Sequence, residues 1–232
     1  MNRLTLSMAA LAARSDFGKT ELVGHYHNEG LYYVLRNIEG SKKPDISRIK
    51  KLIIQFVTAL PANTFGKASK AEQKKLAQAV LAKVNLDEMP DPFAWKSHPD
   101  FSRAANQSAS ALLALVKKFI DPEMTASNAK AQLERWQRTV ARKGFTARDR
   151  TILGAAGAVA RYSLAYWLLT DPSPDMPTDP KARKLCKERE RLPFAAADIL
   201  GAIMGGLIGF GLGGPTGALV GGMAGGQLAS AA

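Results

Sequence analysis

The sequence predicts an all-α protein: a multi-helix soluble bundle followed by a C-terminal glycine-rich helical hairpin. Apolar residues recur at steps of three and four rather than alternating, which is the period of a helix with one buried face. Aromatic residues make up only 7% of the chain, so few stretches carry the composition of a half-buried strand. The last region, "GAIMGGLIGFGLGGPTGALVGGMAGG", places glycine at Gly201, Gly205, Gly209, Gly213, Gly217, Gly221 and Gly225 without a missed step.

At the start, "MNRLTLSMAALAARSDFGK" has its apolar run broken by Thr5 and Ser7. It reads as an amphipathic first helix rather than a secretory signal, although the lack of acids before Asp16 also permits a transit peptide. Residues 44 to 60 put Ile46, Ile49, Ile53, Phe56 and Leu60 on one face of a second helix. Residues 69 to 84 open with Ser69 and Glu72 in the spacing of a capping box, and Leu76, Val80, Leu81 and Val84 form their stripe. A proline-rich break, "NLDEMPDPFAWKSHPD", precedes a helix from about Phe101 to Ile120, and the next runs from about Pro122 to Lys143 and stops at Gly144.

Thr146 and Asp149 give another capping-type start, and "TILGAAGAVARYSLAYWLL" follows, apolar except for Arg161 and a few small polar groups. An arginine in mid-span costs at least about 2.5 kcal/mol in a bilayer. This stretch therefore reads as a central core helix whose arginine reaches out or pairs. The expected domains are a basic helical domain (1–169), a proline-rich linker (170–180), a cationic juxtamembrane helix (181–193) and the hydrophobic hairpin (194–232).

The formal charge of +12 implies an anionic partner, and the two common ones are nucleic acid and an acidic membrane face. The lone Cys186 excludes an internal disulfide framework. "GKT" at Gly18 to Thr20 ends like a phosphate-binding loop, but Ala13 stands where that motif needs its first glycine. His25, His27 and Glu29 would share a face on a strand and diverge on a helix; His98 is the only other histidine. No catalytic set, metal site or cofactor is expected. Trp95 beside Lys96, and Trp136 between Arg135 and Arg138, keep nucleic-acid stacking open as the alternative.

Each interior glycine costs a helix in water about 1 kcal/mol relative to alanine. A bare glycine face recovers that cost by letting another helix approach closely, as small residues do in lipid. From Ile199 onward there is no charged side chain. Lys181, Arg183, Lys184, Lys187, Arg189 and Arg191 form a basic flank suited to anionic lipid, placing the N-terminal domain in the cytoplasm by the positive-inside rule. Gly214 and Pro215 mark a turn between arms of roughly 18 and 16 residues, about 27 and 24 Å against a hydrocarbon core of about 30 Å. A tight hairpin and a kinked single span both fit.

The repeated small-xxx-Gly of "GAIMGGLIGFGLGG" and "GALVGGMAGG" resembles the glycine-zipper segments of bacterial membrane and surface proteins and of membrane-active peptides. It departs from zipper-containing lipoproteins in having no cysteine after an N-terminal signal. The coarse layout is also similar to pore-forming colicin domains, which are all-helical and keep an alanine- and glycine-rich hydrophobic hairpin near the C-terminus. The resemblance implies a membrane-associated protein, inserting or pore-forming, that becomes a homo-oligomer through its seven spaced glycines. The alternative is a soluble basic nucleic-acid-binding or scaffold protein with the hairpin packed in its own core.

Overall fold

The computed structural model describes residues 19–38, 45–119, 124, 126–142, 144–164 and 192–232. Among these, the regular elements are α1 (Lys19–Ile38), α2 (Ile46–Ala59), α3 (Lys70–Lys83), a 3-10 turn (Pro92–Ala94), α4 (Arg103–Lys118), α5 (Ala126–Arg142), α6 (Ala147–Leu164) and α7 (Leu192–Ala231). The fold is all-α. The N-terminal stretch before Lys19, the proline-rich linker, the cationic segment 181–191 and Cys186 lie outside the described residues.

Local chemistry sets the helix starts. The Asp45 carboxylate accepts the Ser47 N–H at 2.9 Å and opens α2, whose Ile49, Leu52, Ile53 and Val57 are buried. At α3 the Ser69 hydroxyl accepts the Glu72 N–H, and Glu72 returns the contact by accepting the Ser69 N–H at 2.7 Å. The hydrogen bond from the Ser69 hydroxyl holds the Glu72 carboxyl below its ordinary range. Both halves of the box satisfy amides that a helix start leaves open. Ser69→Ala is expected to lower stability by about 1 kcal/mol, read as a shift of the denaturation midpoint; an unchanged midpoint would show the box to be idle.

Ser102 caps α4 through the Ala105 N–H, and the Asn106 amide ties the preceding loop by bonding the backbone of His98 and Phe101. The helix predicted from Pro122 begins at Ala126. Thr146 accepts the Asp149 N–H at 3.1 Å and starts α6 where the sequence placed it. Ile152, Leu153, Ala155, Ala156, Ala158, Val159 and Ala160 are all fully buried. Residues that face every direction are covered, as a central helix requires.

Helices α1 and α6 run parallel and very close. A Cβ at Gly24 would sit 2.5 Å from the Ala158 carbonyl oxygen, and one at Gly154 would meet Thr20 at 3.0 Å. Asn28 continues the seam by donating to the Tyr162 carbonyl at 2.9 Å. Because 19–38 is a helix, His25 and His27 point apart: His25 pairs with Glu29 at 3.3 Å, one turn on, while His27 is fully buried.

Helix α7 packs most extensively on α6 and α3, then on α1, with α2 and α4 completing its surroundings. Its residues are therefore the centre around which the other helices assemble.

Candidate functional site

The long C-terminal element is two helical arms joined at Gly213 (φ −152°, ψ 25°) and Gly214 (φ 58°, ψ −144°). Gly214 occupies the left-handed region that a side chain disfavours. Pro215 then opens the second arm, where its missing N–H and fixed φ suit a first helical position.

The glycines of the two arms face one another pairwise, symmetrically about Gly213. A Cβ added at Gly209 would lie 2.7 Å from the Gly217 carbonyl carbon, and nearer still to its oxygen. One at Gly205 would lie 2.9 Å from the Gly221 carbonyl carbon, and one at Gly201 would lie 2.8 Å from that of Gly225. Six of the seven spaced glycines thus bring backbone against backbone, where dispersion and weak Cα–H···O contacts replace side-chain packing. Gly213 meets Leu76 of α3 instead.

A second set of glycines faces outward from this seam. Gly206 lies against Ile152 of α6, Gly222 against Ala155, and Gly226 against His27 of α1. One glycine row closes the hairpin on itself; the offset glycines seat the closed hairpin in the bundle.

Polar fasteners hold the open end of the hairpin. The Ser163 hydroxyl donates to Asp198 Oδ2, and His27 Nε2 lies 3.2 Å from the Ser163 oxygen and 3.3 Å from Asp198 Oδ2. All three residues are fully buried. On the other arm the Gln227 amide donates to the carbonyls of Tyr26 and His27, an approach possible because Gly30 carries no side chain.

Serine, histidine and aspartate meet here, but not as a hydrolase relay. In that relay the imidazole takes the serine proton on one nitrogen and is oriented by the carboxylate through the other. Here hydroxyl and carboxylate share the same nitrogen, and no substrate reaches a fully covered hydroxyl. The cluster instead ties α1, α6 and α7 together around the single charge of the hairpin.

Arg161, the charged residue of the apolar α6 stretch, pairs with the buried Glu21 of α1 and lies over the Tyr162 ring at 5.4 Å. Burial lowers its guanidinium from the usual value and raises the Tyr162 hydroxyl.

At the tip the environment changes. Leu212 is 39% exposed, Gly211 and Pro215 are exposed, and Phe210 is half-buried with the Arg148 guanidinium 6.0 Å from its ring. Lys67 and Lys75 line the cleft beside Leu212, Gly213 and Thr216, together with Glu72. An apolar end of the hairpin therefore meets solvent inside a largely cationic rim.

Compared with family models, curated proteins and solved structures, the chain matches none of them. Among the described residues no group of His, Cys, Asp and Glu is arranged to hold a metal ion. Among the described residues one helical element, Pro193–Ala231, is long and apolar enough by length and composition to cross a membrane, and its most apolar window is 67% buried in the bundle. The expected basic flank from Lys181 to Arg191 lies outside the described residues. His27, Ser163 and Gln227 were not legible as a cluster; the isolated Asp198 was its one signal in the sequence, since a lone carboxylate in an apolar arm needs a partner.

Proposed function

We propose that this is a membrane-active helical protein that carries its inserting segment as a closed hairpin inside a soluble bundle. One observation carries the reading. Where the hairpin reaches solvent near its tip, through Met204, Ile208, Phe210, Leu212 and Pro215, it is apolar apart from the half-buried Thr216. A helix written only for a soluble core would set polar side chains at such positions.

The distribution of fasteners supports the same reading. Asp198 and Gln227 grip the open end, while at the outward-facing tip Gly213 meets Leu76 of α3 and Thr216 meets Gly66. Lys67 and Lys75 beside it, with Arg148 paired to Asp100 at 3.5 Å, suit the headgroups of an anionic lipid surface. The glycine rows are occupied within one chain, so a homo-oligomer built on the zipper resemblance requires the arms to leave the bundle first. Such contacts are then made in lipid, where glycine faces replace the lost water-driven packing.

Deleting the hairpin would remove the centre of the fold, so the test is a point change at the tip. Full-length protein is expected to float with vesicles containing anionic lipid, and Leu212→Glu is expected to weaken that binding at least tenfold. Its melting should stay within about 0.5 kcal/mol of the parent, as for other surface changes. A parent protein that ignores vesicles at low salt would sink the proposal.

A second reading has its own observation: Lys50, Lys51 and Lys74, with Ser47 and Gln78, line an open groove between α2 and α3. A nucleic-acid backbone fits that chemistry, and binding would fall steeply with salt while ignoring Leu212→Glu.

A further inference from the structure

A separate cavity of about 180 Å³ lies between Thr20 of α1, the first turns of α6 and the second half of α5. Its walls include Thr20, Trp136, Gln137, Val140, Arg150 and Gly154. It exists because small residues meet there: at Gly154 any side chain would press on Thr20.

Gln137 is the informative wall. It is 1% exposed, and among the described residues neither its amide nitrogen nor its amide oxygen has a hydrogen-bond partner. Leaving both ends of a buried amide unsatisfied is costly, and native structures rarely do so without a reason. A ligand that offers one acceptor and one donor removes that cost.

Three further features define what the ligand is. Arg150 donates to the Phe145 carbonyl at 3.3 Å, and among the described residues no carboxylate pairs with it, which leaves its remaining N–H groups for an anion. Helix α6 begins at this end, where Thr146 caps it, so its dipole adds a field of the sign that favours an anion. The Trp136 indole is fixed by its bond to the Ser108 carbonyl at 3.1 Å and presents a rigid aromatic wall beside Val140. A cavity of roughly 150 Å³ holds a benzene ring, so this one admits a single ring with a short substituent.

We propose that the cavity binds a small aromatic carboxylate bearing one O–H or N–H donor. The carboxylate faces Arg150 and the Gln137 amide N–H, the donor faces the Gln137 carbonyl, and the ring lies on Trp136. This site shares no residue with the hairpin and does not depend on the membrane reading.

The probes are 3-hydroxybenzoate, 4-hydroxybenzoate and 4-aminobenzoate, titrated into the full-length protein by calorimetry and ligand-observed NMR, with benzyl alcohol as the uncharged control. At least one acid is expected to bind, and benzyl alcohol at least tenfold more weakly. Gln137→Leu and Arg150→Gln are each expected to weaken the acid at least tenfold. Gln137→Leu should also raise the melting temperature of the free protein, because it removes an unsatisfied buried amide. No binding by any of the three acids, equal binding by benzyl alcohol, or unchanged affinity in Gln137→Leu would overturn the assignment. So would a lowered melting temperature in that variant, which would show that its amide already has partners.

Discussion

Gly205→Leu is expected to lower stability by about 3 kcal/mol or more, at the upper end of overpacking costs. The opposing atoms are the backbone of Gly221 and Gly225, which cannot swing aside as a flexible side chain would. The arms must separate along their length, and the offset glycines that seat them against α6 and α1 move with them. For a chain of this size that corresponds to a fall in melting temperature of about 6–12 °C. Gly211→Ala is the control: nothing lies within 4 Å of its added Cβ, and an exposed helical glycine replaced by alanine gains about 0.5–1 kcal/mol. Circular dichroism melts of the pair decide the matter, and equal melting temperatures would mean the arms are not in contact.

Arg161→Met is expected to be the second large loss, about 3 kcal/mol and again about 6–12 °C. The loss comes from what is left behind, since Glu21 is 3% exposed and would keep a charge or take up a proton without its partner. Arg161 retains some access to water, which places the effect at the low end of the range for broken buried pairs. The double variant Glu21→Leu with Arg161→Met removes both charges and should recover at least half of the loss, because two apolar groups need no compensation. Failure of the double variant to recover would assign the loss to Arg161's packing on Tyr162 rather than to the ion pair.

The features legible in the sequence share a short range. The capping contacts at Ser69 with Glu72 and at Thr146 with Asp149 join residues one turn apart, so spacing alone specifies them. A break at Gly214 and Pro215 was legible in the same way, although its spacing fitted a kinked span as well as a hairpin. On α2, Ile49 and Ile53 are buried as expected, while Ile46 is 37% exposed and Leu52 and Val57 are buried beside them. The nearly unbroken apolar run after Thr151, with only Arg161 to interrupt it, marked α6 as a core helix in the same local way.

The cluster at Asp198 was not legible because its members come from distant parts of the chain. Ser163 is 136 residues from His27 and 35 from Asp198. Helical spacing states which face of a helix is buried and is silent on what covers it. The cavity at Gln137 is hidden for the same reason: it belongs to three helices, and Gly154 and Thr20 reveal their role only once α1 and α6 run side by side.

By itself the sequence determined the helical class, the capped starts at Ser69 and Thr146, a break near Gly214 and Pro215 and the existence of a glycine face. Each follows from contacts within a few residues or from the missing side chain of glycine itself. Only the tertiary structure decided what that face meets. The two arms of one chain close on each other because Gly214 reverses the backbone and places Gly217, Gly221 and Gly225 opposite Gly209, Gly205 and Gly201. It also decided that the closed hairpin lies at the centre of the bundle. There its outward glycines fit α1 and α6, and its one carboxylate finds a histidine and a serine.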